Sequence, residues 1–272
     1  MRFLAIAQAE MRILARNRWL FMATLIMVLF ALALTFAGSA PTGTLGVDML
    51  TVSVTSMTTL SVYLAPLLAL MMSFDAVAGD AERGSLGLLL SYPAGRGEIL
   101  LGKFAAHLAA LTIAMTVGFG SAGAIAAYMG GAGQDSVLAL LRLIGTSVLL
   151  GGVFLTLDYM MSSLAKSATA AAGMAAVLWL IFVVIYDLGL LGAVVMDSGG
   201  WFTETLFPWL MVANPADAFR LWNIASSESV ALASGMVGAA SALPSWAAPL
   251  SLAIWPLLGF AFARLAFRRV EP

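Results

Sequence analysis

The sequence predicts an all-α polytopic membrane protein. It should have six transmembrane helices, an N-terminal interfacial helix, a short cytoplasmic helix and a re-entrant outer helical insertion. Three observations carry this reading. The 272 residues are 62% hydrophobic and only 10% charged, with a mean hydropathy of +1.00, whereas a soluble domain has about 25% charged residues. Six apolar runs reach the roughly 20 residues that a membrane-crossing helix needs. The basic residues fall almost entirely on one side of those runs.

The first element is residues 2–18. At 100° per residue, Gln8, Arg12 and Arg16 share one face, while Phe3, Leu4, Ala7, Met11 and Leu14 share another. That is the pattern of a helix lying on a membrane. Glu10 falls inside the apolar arc, and two readings stand for it. It is a tolerated carboxylate at the lipid headgroups, or it meets a basic residue of another cytoplasmic segment.

The spans follow at 19–38, 51–74, 99–129, 137–162, 168–196 and 245–267. Ala37-Gly38-Ser39-Ala40 resembles a signal-peptidase site. However, the apolar run from Trp19 is longer than the roughly 7–15 residues of a signal core, so it reads as an uncleaved first span. A cytoplasmic loop takes 75–98 and an outer insertion takes 197–244, and the whole of 1–272 reads as one transmembrane domain.

Charge sets the orientation. With both termini cytoplasmic, Arg2, Arg12, Arg16, Arg18, Arg83, Arg96, Lys103, Lys166, Arg264, Arg268 and Arg269 lie inside, leaving Arg142 and Arg220 outside. This bias marks the cytoplasmic side. The net charge of −1 gives no basic excess for nucleic acid. The absence of cysteine excludes disulfides, zinc-thiolate sites and a catalytic thiol, and a single histidine excludes a His-rich metal site. Soft Met thioethers suit copper(I), and there are 16 Met. Neighbours such as Met71-Met72 and Met160-Met161 point about 100° apart on a helix, so neither pair is a ready chelate.

The stretch GEILLGKF, residues 97–104, fits the first seven places of a phosphate-binding loop, GxxxxGK. That loop needs a Ser or Thr after the Lys to hold Mg²⁺, and Phe104 stands there. No strand precedes it and an apolar helix follows, so the loop reading fails. Glu98 suits a helix N-terminus by its dipole, and Lys103 can snorkel toward water. Just upstream, Ser85 to Leu90 reads as a short helix, and the apolar Leu86, Leu88, Leu89 and Leu90 ask for something to dock into.

At this loop a family resemblance enters. Glu82-Arg83-Gly84-Ser85-Leu86, then Leu89-Leu90-Ser91-Tyr92-Pro93, Arg96 and Gly102-Lys103 resemble the cytoplasmic signature of type 2 ATP-binding-cassette (ABC) permeases. A narrower resemblance is to the permeases of transporters that mature the copper sites of nitrous oxide reductase, in denitrification. Phe74-Asp75-Ala76-Val77-Ala78-Gly79, Tyr92-Pro93-Ala94-Gly95-Arg96-Gly97, Leu100-Leu101-Gly102-Lys103-Phe104 and Asn214-Pro215-Ala216-Asp217 carry it.

The resemblance implies a bacterial inner-membrane permease subunit that is not itself an enzyme and binds no cofactor. It implies a separate cytoplasmic ATPase that holds ATP and Mg²⁺, a second copy of the chain, and a periplasmic β-helix accessory protein. Glu82, Arg83, Gly84, Leu88, Leu89, Pro93 and Arg96 become candidates for coupling to the ATPase, with Glu82 and Arg96 at the rim. Glu10, Arg12 and Arg16 are the candidates on the interfacial helix.

The outer insertion is too apolar for a free loop, since Trp201, Phe202, Leu206, Phe207, Trp209, Leu210 and Met211 come close together. Trp favours the membrane interface. Asn214 before Pro215, with Asp217 following, reads as a helix start. Two short helices are expected, at 215–224 and 227–239. The insertion reads both as a lid over the spans and as a docking platform for the outer partner, with Asn214, Asp217, Arg220 and Glu228 as candidate contacts.

His107, Asp158 and Asp187 lie within spans, where ionisable groups are functional candidates by default. His107 reads as a satisfied polar contact near the interface. The two aspartates raise rival readings. In an intramembrane aspartyl protease the carboxylates must nearly touch. Asp158 is 8 residues from Lys166 and Asp187 is 21, which separates them in depth by roughly 20 Å. A secondary transporter using membrane-embedded Asp residues is the stronger alternative, and Gly118, Gly120 and Gly123 in span three suit a broken helix. The same glycines also suit close helix packing.

Overall fold

A computed structural model describes residues 2–16, 18–38, 48–197, 200–225 and 243–270. Among them every element is helical, and six helices are long and apolar enough to cross a membrane. The first elements are α1 (Arg2–Arg16), α2 (Trp19–Gly38) and α3 (Met49–Ser73), then the short α4 (Ala78–Glu82) and α5 (Ser85–Ser91). Next come α6 (Arg96–Gly130) and α7 (Gln134–Leu164). The fifth span is one run of α8 (Ala168–Leu180), a π-helical turn (Ile181–Ile185) and α9 (Tyr186–Asp197). A second π-helical turn (Phe202–Leu206), α10 (Phe207–Ala213) and α11 (Pro215–Ala225) lead to α12 (Ala247–Phe267).

Helix α7 is the centre, with α3, α6 and α12 packed along it and α2 against α6. Glycines let these helices close up. A Cβ at Gly118 would lie 2.6 Å from that of Met27, one at Gly123 2.4 Å from Leu140, and one at Gly151 2.1 Å from Leu111. Gly120 faces open space. Two of the three span-three glycines therefore serve packing. Burial is uneven: 67% of the α3 span window is buried, against 11% for the fifth span. The fifth span presents Val177, Leu180, Ile185, Leu188 and Leu191 outward.

The near end of the bundle gathers α1, the α4–α5 segment and the end of α12. At the far end Asp48 caps α3, accepting from Thr51 N–H at 2.7 Å, and also accepts from Gly133 N–H and the Ser136 hydroxyl, each at 2.9 Å. Burial raises this carboxyl, but these donors outweigh burial and hold it below the usual carboxylate range. One side chain thus ties the start of span two to the turn between spans three and four.

Two expectations are corrected here. The 75–98 loop contains two short helices rather than one, and they meet at Gly84, whose φ of 72° is left-handed and favours glycine. Lys103 does not snorkel, since it is only 3% exposed. Helix α11 occupies 215–225, while the helix expected at 227–239 and Glu228 lie outside the described residues.

Candidate functional site

The near end is built around a close approach. A Cβ at Gly102 would sit 2.8 Å from the Ile6 side chain and 2.9 Å from the Phe3 carbonyl. Only glycine lets α1 lie this close against α6. The next residue, Lys103, is then covered. Its ammonium donates to Glu10 Oε1 and Oε2 at 3.1 and 3.0 Å and lies 2.8 Å from Asp80 Oδ2. Of the two readings of Glu10, the structure gives the pairing with a basic residue.

Asp80 is shared. Arg83 reaches both Asp80 and Asp75 at 3.2 Å, and the Ser85 hydroxyl donates to Asp80 at 2.9 Å. Beside this cluster, His107 Nδ1 lies 2.9 Å from both the Lys103 carbonyl and the Tyr159 hydroxyl. It is a satisfied core contact, as the sequence suggested. Asp158 accepts from Ser73 at 2.7 Å. One turn later, Ser162 accepts from Val77 and Ala78 N–H at 3.1 and 3.0 Å. These two residues of α7 hold the break between α3 and α4, where helix amides would otherwise lack acceptors.

The coupling candidates divide in two. Leu88 is 69% exposed, with Pro93 and Tyr92 also at the surface, while Leu89 is half-buried and Leu86 fully so. Glu82, at the surface, and Arg96, half-buried, also tie segments of the chain together. Glu82 Oε2 accepts from Ala168 N–H at 2.9 Å, capping the start of span five. Arg96 donates to the Phe267 carbonyl and, at 2.7 Å, to the Val270 carbonyl, with its guanidinium over the Phe267 ring. It ties the start of α6 to carbonyls at and just beyond the end of α12. Glu98 accepts from Gly95 N–H at 2.9 Å, capping α6 as its position suggested. Arg12 and Arg16 are exposed on α1.

At the far end Asn214 and Asp217 are buried, so both side chains turn inward. Asn214 caps α11 by accepting from Ala216 N–H at 2.9 Å, and its amide donates to the Phe182 carbonyl at 2.7 Å, inside the first π-helical turn. Arg220, a candidate contact for an outer partner, has a side chain only 20% accessible, because it bridges Asp217 at 2.9 Å and Asp187 at 3.1 Å. The Tyr186 hydroxyl donates to the Leu210 carbonyl at 2.7 Å. Asp158 and Asp187 thus have separate partners at opposite ends, which is not the geometry of a proton-sharing pair. Burial pushes the Asp217 carboxyl up to about 7; the Asp187 charge adds to this and Arg220 opposes it.

A family model described as ABC-2 family transporter protein matches residues 4–271. The chain belongs to this family. The permease is 41% identical over 268 residues to a probable ABC transporter permease protein NosY of Pseudomonas aeruginosa, with 97% of each chain covered. It is 38% identical, over the same length and coverage, to a protein of the same name from Stutzerimonas stutzeri. The permease is therefore a multi-pass membrane subunit of an ABC transporter, a class that works with an ATPase. GEILLGKF belongs to that membrane subunit: its glycine seats α1 and its lysine closes an ion cluster.

Two outcomes are expected. Lys103→Met leaves buried Asp80 and mostly covered Glu10 without their cation and should cost about 3–5 kcal/mol in detergent unfolding. The triple variant Glu10→Gln, Asp80→Asn, Lys103→Met should regain most of that loss. A single variant as stable as wild type would show that the cluster is not structural.

The second outcome concerns pH. Folding raises the Asp217 value above the ordinary carboxyl range, so the folded state takes up a proton there. Stability should therefore fall as pH rises from about 4 to 7 and level off above. The thermal midpoint of Asp217→Asn should lack that slope; an unchanged slope would assign it elsewhere.

Proposed function

We propose that this permease carries the work of a separate cytoplasmic ATPase across the inner membrane to a periplasmic partner. The ATPase, which holds ATP and Mg²⁺, seats on the α4–α5 segment. The observation that carries the reading is the double attachment of span five. Glu82 of the coupling segment caps its near end. At its far end, the Phe182 carbonyl, Tyr186 and Asp187 are tied to Asn214, the Leu210 carbonyl and Arg220. Span five is also the least buried span, so it has the fewest packed neighbours to resist a shift.

The active unit is a homodimer, because ABC ATPases close as pairs and one chain offers one coupling segment. Both termini are cytoplasmic, as the basic bias indicates. The motif resemblance supports a role in copper-site assembly of nitrous oxide reductase, with a periplasmic β-helix protein as the outer partner. The output is export or mechanical work on that partner.

Leu88 is the side chain to change for docking, since half-buried Leu89 also supports the fold. Leu88→Asp should lower recovery of the ATPase with the purified permease by tenfold or more, with the permease still inserted and monodisperse. Unchanged recovery would refute this docking face.

For the relay, Arg220→Ala should leave ATPase binding intact and sharply reduce maturation of the outer partner's target. If maturation proceeds at the wild-type rate, span five does not transmit through Arg220.

A further inference from the structure

Between α1 and the coupling segment lies a cavity of about 960 Å³, at the upper end of the roughly 300–1,000 Å³ typical of ligand pockets. One wall is a stripe of α1, Ala5, Ala9 and Ile13, spaced four residues apart and so on one helix face. The opposite wall includes Leu88 and Tyr92. The floor is charged: Glu10, Asp75 and Asp80 outnumber Arg83 and Lys103. Both of those cations are already committed, Lys103 to Glu10 and Asp80, and Arg83 to Asp75 and Asp80. Asp75 keeps 38% of its side chain accessible.

We infer that this cavity is a socket for a cation-tipped apolar element of the ATPase, a Lys or Arg whose stem lies against Leu88 and the α1 stripe. The inference rests on the docking reading above and deepens it. Charge chooses the occupant. The five floor charges sum to −1, so they favour an entering cation and disfavour a phosphate headgroup. The apolar walls suit the methylene stem of such a side chain. Continuity gives the source. Leu88 and Tyr92 belong both to the exposed coupling face and to the cavity wall, so a protein seated on that face reaches the mouth. Glu10, Lys103 and Asp80 themselves line the socket, so its occupant sits where α1, α4 and α6 meet.

The test uses the full permease expressed with its ATPase, purified in detergent, with thermal midpoint and monodispersity recorded for every variant. Ala9→Trp fills the cavity from an exposed position, with Ala5→Phe as a second filler should the first fail to fold. Asp75→Lys reverses the accessible floor charge, and Asp75→Asn neutralises it. The fillers and Asp75→Lys should lower ATPase recovery tenfold or more, and Asp75→Asn severalfold with a weaker salt dependence. Because the chain has no cysteine, Ala9→Cys supplies a single labelling site, and bound ATPase should slow its maleimide labelling tenfold or more.

If Leu88→Asp releases the ATPase while the fillers and Asp75→Lys retain it, docking stands and the socket is overturned. If all of them retain it, both readings fall. If a filler instead removes a co-purifying phospholipid and leaves ATPase recovery unchanged, the cavity is a lipid site and the inference is overturned.

Discussion

The near end of this protein depends on one buried ammonium group. Lys103 has three N–H donors, and its contacts are the two oxygens of Glu10 and one of Asp80. Removing these charges from water is expensive, and only close pairing offsets it. The pairing requires three pieces of chain in fixed relation: the N-terminal helix, the segment between spans two and three, and the start of span three. None can shift far without stranding a charge. Gly102 makes the arrangement possible by letting α1 cover the lysine. Consecutive residues of α6 therefore set the helix spacing and the electrostatics.

The two ends use different means of attachment. At the near end the ties out of residues 75–98 are polar and directional: Asp80 to Lys103, Glu82 to span five, Arg96 to the end of α12. A force on α4 and α5 is thereby divided among several helices. At the far end Asp48 fastens spans two to four together, while span five is fastened mainly to the α10–α11 segment. The bundle has a well-packed interior around α3 and α7 and one lightly packed span beside it.

Much of this architecture is legible in the sequence, because a run of about 20 apolar residues admits few alternatives in a membrane. Local signals were readable too. Asn214 caps its helix and Glu98 caps α6, since a cap is decided within four residues. Pairings across long chain separations were not readable. Glu10 and Lys103 lie 93 residues apart, and only the fold selects that lysine as the partner. Lys103 sits near a helix end, where snorkelling is the ordinary outcome, and nothing local announces that α1 covers it. Arg220 and Asp187 were each conspicuous alone, yet no periodicity joins a span to a separate short helix beyond it. The ties that Glu82 and Arg96 make were not readable, because helix ends that lack acceptors or donors are invisible until the ends are brought together. Asp48 gave no signal beyond that of a plain N-cap.

The π-helical turn at Ile181–Ile185 sets a rotational offset within span five. Such a turn accommodates one residue more than an α-helical turn. If it tightened to regular α-helix, everything beyond it would rotate by about 100° and advance by about 1.5 Å relative to Ala168. Asp187 would then swing away from Arg220, and the Tyr186 hydroxyl away from the Leu210 carbonyl. The span is thus a screw left slack by one residue, and the bonds beyond the slack turn are the catch that keeps it from winding tight.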